Sequence, residues 1–153
     1  MKKVNVFLVN LNQYLLIGIF VFFNISFSYL ISIISKIIYN NSFTKDIHKF
    51  SSLKEEFFLV VLVSPLLETI IFQFIIIEIL YEKVRKELIC LISGLLFAST
   101  HLYNFLYFVF ALIIGFAFAY LYFIGKINKK AFQYVYLTHL IYNLMAFTFN
   151  YLQ

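Results

Sequence analysis

The sequence predicts an all-α, polytopic membrane protein of about five transmembrane helices packed as one bundle, a single transmembrane domain over residues 1–153. Composition carries the first part of this reading: 63% of the 153 residues are hydrophobic, mean hydropathy is +0.94 and only 12% are charged. A globule of this length cannot bury so much apolar surface, whereas lipid can cover it. Patterning carries the second part, because five apolar stretches reach or approach the roughly 20 residues that a spanning helix needs. They lie at about 12–38, 57–80, 88–104, 105–124 and 131–152.

The first stretch follows Met1-Lys2-Lys3, as a signal peptide would, but it runs on to about Tyr39 without a clear small-residue cleavage site. It reads as an uncleaved membrane helix. The longest polar run, NNSFTKDIHKFSSLKEE, comes next, and Ser52 with Glu55 three residues later has the form of a capping box that starts the second helix. Pro65 lacks a backbone donor and clashes with the carbonyl four residues back, so it is expected to kink that helix just before Glu68. The short segments YEKVRKE and GKINKK make antiparallel hairpins of their neighbours, and the turn near Asn104 is nearly free of charge. In the fourth stretch Ala111, Gly115 and Ala119 recur every four residues, a small-residue stripe suited to close helix packing.

The net charge of +5 does not point to nucleic acid, because the cations sit between apolar segments as topology signals and lipid-headgroup contacts. The N-terminus, the 81–87 loop and the 125–130 loop hold 2, 3 and 3 Lys or Arg, against 4 in the 36–54 loop. That asymmetry predicts a multi-pass cell-membrane protein with a cytoplasmic N-terminus. The single Cys90 excludes an intramolecular disulfide and reads as a small buried hydrophobe. The many aromatics go with a general Phe, Ile, Tyr, Asn and Lys bias and carry no separate meaning.

Few ionisable side chains fall near mid-membrane: Glu68 in the second stretch, His101 near the end of the third, and His139 in the fifth. Glu78 sits nearer a helix end, beside Tyr81 and Lys83, and His48 lies in the polar loop without an assigned role. Intramembrane ionisable groups cost several kcal/mol unless they face the bundle interior or a water pocket, which makes them functional candidates. Residues four apart share a helix face, so His139 projects with Asn143 and Phe97 with His101. A carboxylate able to act as general base on water, with His and Asn donors for a developing oxyanion, is equipment for acyl hydrolysis. Each residue alone also has a plain reading: Glu68 as a protonated carboxyl bonded to a neighbouring helix, His101 as an interfacial histidine, His139 and Asn143 as interhelical bonds.

The ordered motifs S-P-x-x-E-x-x-x-F, F-x-x-x-H and H-x-x-x-N resemble the CAAX-protease and bacteriocin-processing family of intramembrane endopeptidases. The resemblance has its core at about 57–152. It implies that Glu68 is the water-activating base, His101 its partner, and His139 with Asn143 the oxyanion-stabilising pair. It further implies a peptide or prenylated protein substrate within the lipid bilayer, and a role in peptide maturation or bacteriocin self-immunity. Eukaryotic relatives are expected to open to the cytosol. Where the family carries a second, adjacent glutamate and an arginine four residues beyond it, this chain has Thr69 and Gln73. That departure favours a second reading, a catalytically inactive member serving as a membrane immunity or scaffold protein. No cofactor is expected. Zinc on one glutamate and two histidines is conceivable, but no HExxH spacing is present and glutamate-activated water is preferred. A proton-coupled transporter is a third reading, unsupported by any inverted repeat.

Overall fold

A computed structural model describes residues 6–40 and 50–152, so His48 lies outside the described residues. Its helices are α1 (Val6–Val9), α2 (Gln13–Tyr39), α3 (Leu53–Leu80), α4 (Lys86–Ser99), α5 (Phe105–Ile127) and α6 (Ala131–Leu152), with no strand among the described residues. The helical membrane bundle read from the sequence is the observed architecture.

Three helices, α2, α3 and α5, are long and apolar enough to cross a membrane. Helix α6 has spanning length, 22 residues, but Gln133, Thr138, His139 and Asn143 dilute its apolar character. Helix α4 departs from the expected 88–104 span, with only 14 residues, or about 21 Å at 1.5 Å per residue. Its end is set by side chains: Thr100 Oγ1 donates to the Phe97 carbonyl at 2.7 Å and His101 Nδ1 lies 2.8 Å from the same oxygen. The chain then turns, and Asn104 Oδ1 caps α5 by accepting from the Tyr107 N–H at 2.8 Å.

The capping box at the start of α3 forms with one change. Ser52 Oγ accepts from the Glu55 N–H at 3.2 Å, as expected, but the Glu55 carboxylate reaches back to the Ser51 N–H at 2.9 Å. Outward residues of α2, among them Phe22 at 72% and Ile37 at 78% exposure, are the surface a bilayer would cover. Inward residues such as Leu16, Phe20 and Ile31 pack with Phe110, Phe118 and Leu121 of α5 and Val135 of α6 in the main core.

Polar contacts fix which helix ends lie together. At one end Asn128 Nδ2 donates to the Val9 carbonyl at 3.1 Å and Lys130 Nζ to Gln13 Oε1 at 2.6 Å. Glu78 sits at that end too. It accepts from Tyr122 OH at 2.8 Å and from Lys126 Nζ at 2.6 Å, partners on α5 that replace the sequence neighbours expected for it. At the opposite end Tyr151 bonds Glu56, and the rings of Phe57 and Phe147 meet edge to face.

Helices α4 and α5 touch where their side chains are smallest. The expected stripe is buried, with Ala111 at 1% and Ala119 at 0% exposure. A Cβ built on Gly115 would stand 3.0 Å from the Gly94 Cα, and one on Gly94 would stand 2.9 Å from the Phe116 backbone nitrogen and 3.0 Å from the Leu112 carbonyl oxygen. Neither backbone can give way without separating the helices. Gly94→Ala is therefore expected to lower the melting temperature in detergent by the equivalent of about 1–3 kcal/mol of overpacking. Gly18→Ala, with nothing within 4 Å of its new Cβ, should leave melting unchanged, and equal melting of both variants would refute this account of the α4–α5 contact.

Candidate active site

Helix α3 positions the carboxylate, and its backbone is unusual on both sides of it. Residues Phe57–Val63 and Thr69–Ile75 are π-helical, flanking the α-helical turn Ser64–Glu68. Such widened turns recur at functional sites. The Ser64 N–H bonds the Leu59 carbonyl, five residues back. In that register the next residue would donate to Val60, but it is Pro65 and has no N–H to give. The strain anticipated from the proline thus takes the form of a widened helix with a spare carbonyl. Asn143 Nδ2 of α6 donates to that Val60 oxygen at 2.9 Å. This bond sets the register of α6 against α3, and one turn further along α6 stands His139.

Glu68 faces inward at this level. Its Oε1 accepts from Ser64 Oγ at 2.5 Å, and its Oε2 lies 3.6 Å from His139 Nε2, beyond hydrogen-bond reach. Its side chain is 19% exposed and that of His139 is 6% exposed. The phenyl ring of Phe97 packs between the two histidines, its centroid 4.6 Å from that of His101 and 5.9 Å from that of His139. Phe118 flanks His139 at 4.8 Å and Tyr107 stacks on His101 at 5.5 Å. Packed rings of this kind hold both imidazoles in one rotamer. Because a carbonyl only accepts, the bond to Phe97 places the His101 proton on Nδ1 and leaves the lone pair on Nε2.

These side chains wall one cavity of about 240 Å³, lined by Glu68, His101, His139 and Asn143 together with Ser64, Thr100 and an aromatic wall that includes Tyr103 and Tyr107. All four residues singled out in the sequence therefore reach one space from two helices, α3 and α6, and the turn after α4. No direct bond joins Glu68 to His101; His139 is the imidazole nearest the carboxylate. Among the described residues, no three His, Cys, Asp or Glu side chains group closely enough to hold a metal ion.

Ser64 was not among the residues singled out, although its position four before Glu68 is the spacing that puts two side chains on one helical face. Thr69 and Gln73, where the family motif carries its second glutamate and its arginine, lie outside the cavity lining. Both are fully buried, and Thr69 Oγ1 and both ends of the Gln73 amide have no hydrogen-bond partner. A charged pair at these positions would have to be buried as an ion pair; this chain puts two neutral groups there.

A family model described as Rce1-like, type II CAAX prenyl endopeptidase Rce1-like, matches residues 52–145. No curated protein and no solved structure matches the chain. The matched stretch begins at the Ser52 cap of α3, ends just past Asn143 and covers well over half of the 153 residues. A membrane helix bundle whose Glu, His and His-Asn motifs fall in that stretch and wall one cavity belongs to the Rce1-like family of type II CAAX prenyl endopeptidases.

Proposed function

We propose that the chain is an intramembrane endopeptidase that hydrolyses a peptide bond with water activated by Glu68. The observation that carries this reading is a carboxylate on the wall of a mid-bundle cavity, facing His139 across 3.6 Å, with His101 and Asn143 on the same cavity. Water held between Glu68 and the His101 Nε2 lone pair attacks the scissile carbonyl carbon, and its proton passes to Glu68. The tetrahedral oxygen takes hydrogen bonds from His139 Nε2–H and from the second Asn143 amide hydrogen, the first being held by Val60. Collapse breaks the C–N bond, and Glu68 returns the proton to the leaving amine. Ser64 fixes the rotamer of the base. Peptide maturation or bacteriocin self-immunity is the physiological setting that goes with this chemistry.

The neutral, buried Thr69 and Gln73 favour a second reading, an inactive family member serving as a membrane immunity or scaffold protein. Loss of the base separates the two. In detergent, against a panel of membrane and prenylated peptides, Glu68→Gln is expected to lower cleavage at least about 100-fold, and His101→Ala to lower it as well. A chelator should leave the wild-type rate unchanged; loss on chelation alone would return the reaction to zinc. A Glu68→Gln variant with full activity in cells would leave the scaffold reading standing instead.

A smaller effect is expected at Ser64. Removing one hydrogen bond to an ionised group is worth about 1.5–3 kcal/mol, so Ser64→Ala should cut kcat about tenfold or more with KM little changed. Ser64→Thr, which keeps the hydroxyl, should restore most of the rate. If Ser64→Ala is as fast as wild type, the serine has no part in holding the base.

A further inference from the structure

The cavity has a direction relative to the charges of the bundle. Its exposed lining residues, Thr100 and Tyr103, belong to the turn between α4 and α5. That turn lies at the end of α5 opposite Lys126, where Glu78, Tyr122 and the α1 and α2 contacts gather the other helix ends. At the Lys126 end stand Lys83, Arg85, Lys86, Lys126, Lys129 and Lys130, six of the described cations. At the cavity end only Lys36 and Lys54 are described, beside Glu55 and Glu56. The six fall in the short 81–85 and 128–130 connections or within a residue or two of them, which is where the positive-inside bias acts. Counted over the whole sequence, the bias keeps its sign, eight against four.

The lining also restricts what can enter. It contains no lysine or arginine and one carboxylate, Glu68, and its remaining walls are uncharged, with Ser64, Thr100 and Asn143 interspersed among rings and aliphatic groups such as Phe97, Phe110 and Ile114. A C-terminal carboxylate or an acidic side chain would find no cation there, so burying it would go uncompensated. An uncharged stretch fits, its apolar side chains against the rings and its peptide groups against the polar wall.

Resting on the endopeptidase reading above, we propose that the cavity opens on the outer, non-cytoplasmic face of the membrane and accepts an uncharged apolar segment of a protein already translocated across it. The reaction that supplies the substrate is then export or membrane insertion, not a cytosolic modification. This orientation is the reverse of the cytosolic opening expected of the eukaryotic relatives.

The test needs the full chain in cells and one new thiol at a time. Leu102, 69% exposed in the cavity-end turn, and Glu82, exposed in the turn after α3, are each replaced by Cys in a Cys90→Ala background, and again with the buried Cys90 retained. A membrane-impermeant maleimide added to intact cells should label Leu102→Cys at once and Glu82→Cys only after permeabilisation. The opposite pattern overturns the proposal whatever the enzyme's activity. Single-span reporters with an apolar cleavable flank placed outside or inside are then co-expressed: wild type should cut the first and spare the second, and Glu68→Gln should cut neither. Cleavage of the inside reporter alone overturns the proposal while leaving the endopeptidase reading intact. If Leu102→Cys labels from outside and wild type cuts neither reporter, the endopeptidase reading and the substrate assignment fall and the outward opening stands.

Discussion

The arrangement depends on a single carbonyl, that of Val60. A helix satisfies its own backbone everywhere except at its ends and at proline, and in lipid an unsatisfied carbonyl has no water to turn to. Pro65 leaves Val60 without its donor in the register that Ser64 and Leu59 set, and the group must be answered from another helix. Asn143 answers it at 2.9 Å. The bond joins α3 to α6 at a fixed register, and His139, four residues before Asn143, is thereby held opposite Glu68. A lost backbone bond on one helix is thus converted into the alignment of two side chains that sit seventy-one positions apart in the chain.

The remaining contacts hold this alignment from the two sides. Where Gly94 and Gly115 let α4 approach α5 backbone to backbone, Phe97 is carried in to lie between His101 and His139. A larger residue at either glycine would move that ring and with it both imidazoles. At the far end, the Glu78 carboxylate draws Tyr122 and Lys126 of α5 against α3, and Lys126 also lies over the Tyr81 ring at 4.0 Å. Charge is therefore concentrated at one end of the bundle, where it locks helix ends together, while the cavity end keeps Glu68 as the one charged group lining its cavity.

Much of this was legible in the sequence because it is local. The Ser52 cap, the stripe of Ala111, Gly115 and Ala119, and the placing of His139 with Asn143 follow from spacing along one helix, and all four site residues do wall a common cavity. What could not be read depends on partners distant in sequence. The widening around Pro65 leaves the Val60 carbonyl to be answered by Asn143 of α6. Glu78 was read against its neighbours Tyr81 and Lys83, whereas its partners lie 44 and 48 residues away. Ser64 is a different case: its four-residue spacing to Glu68 is visible in the sequence, and the bond between them is local to one helix.

Thr69 and Gln73 bear on how such a site can work without the charged pair that its family motif includes. An arginine next to the base would stabilise its carboxylate form and anchor it, at the cost of desolvating two ions. Here the positions are neutral and fully buried, and the Gln73 amide and the Thr69 hydroxyl have no hydrogen-bond partner. Anchoring of Glu68 then falls to the Ser64 hydroxyl at 2.5 Å and to packing against the imidazole of His139. A hydroxyl orients a carboxylate without fixing its charge, so the proton on Glu68 is governed by what enters the cavity. At the proposed base the proton is first taken from water and then returned to the leaving amine, and a fixed arginine, by holding the carboxylate form, would oppose the first of these steps and favour the second.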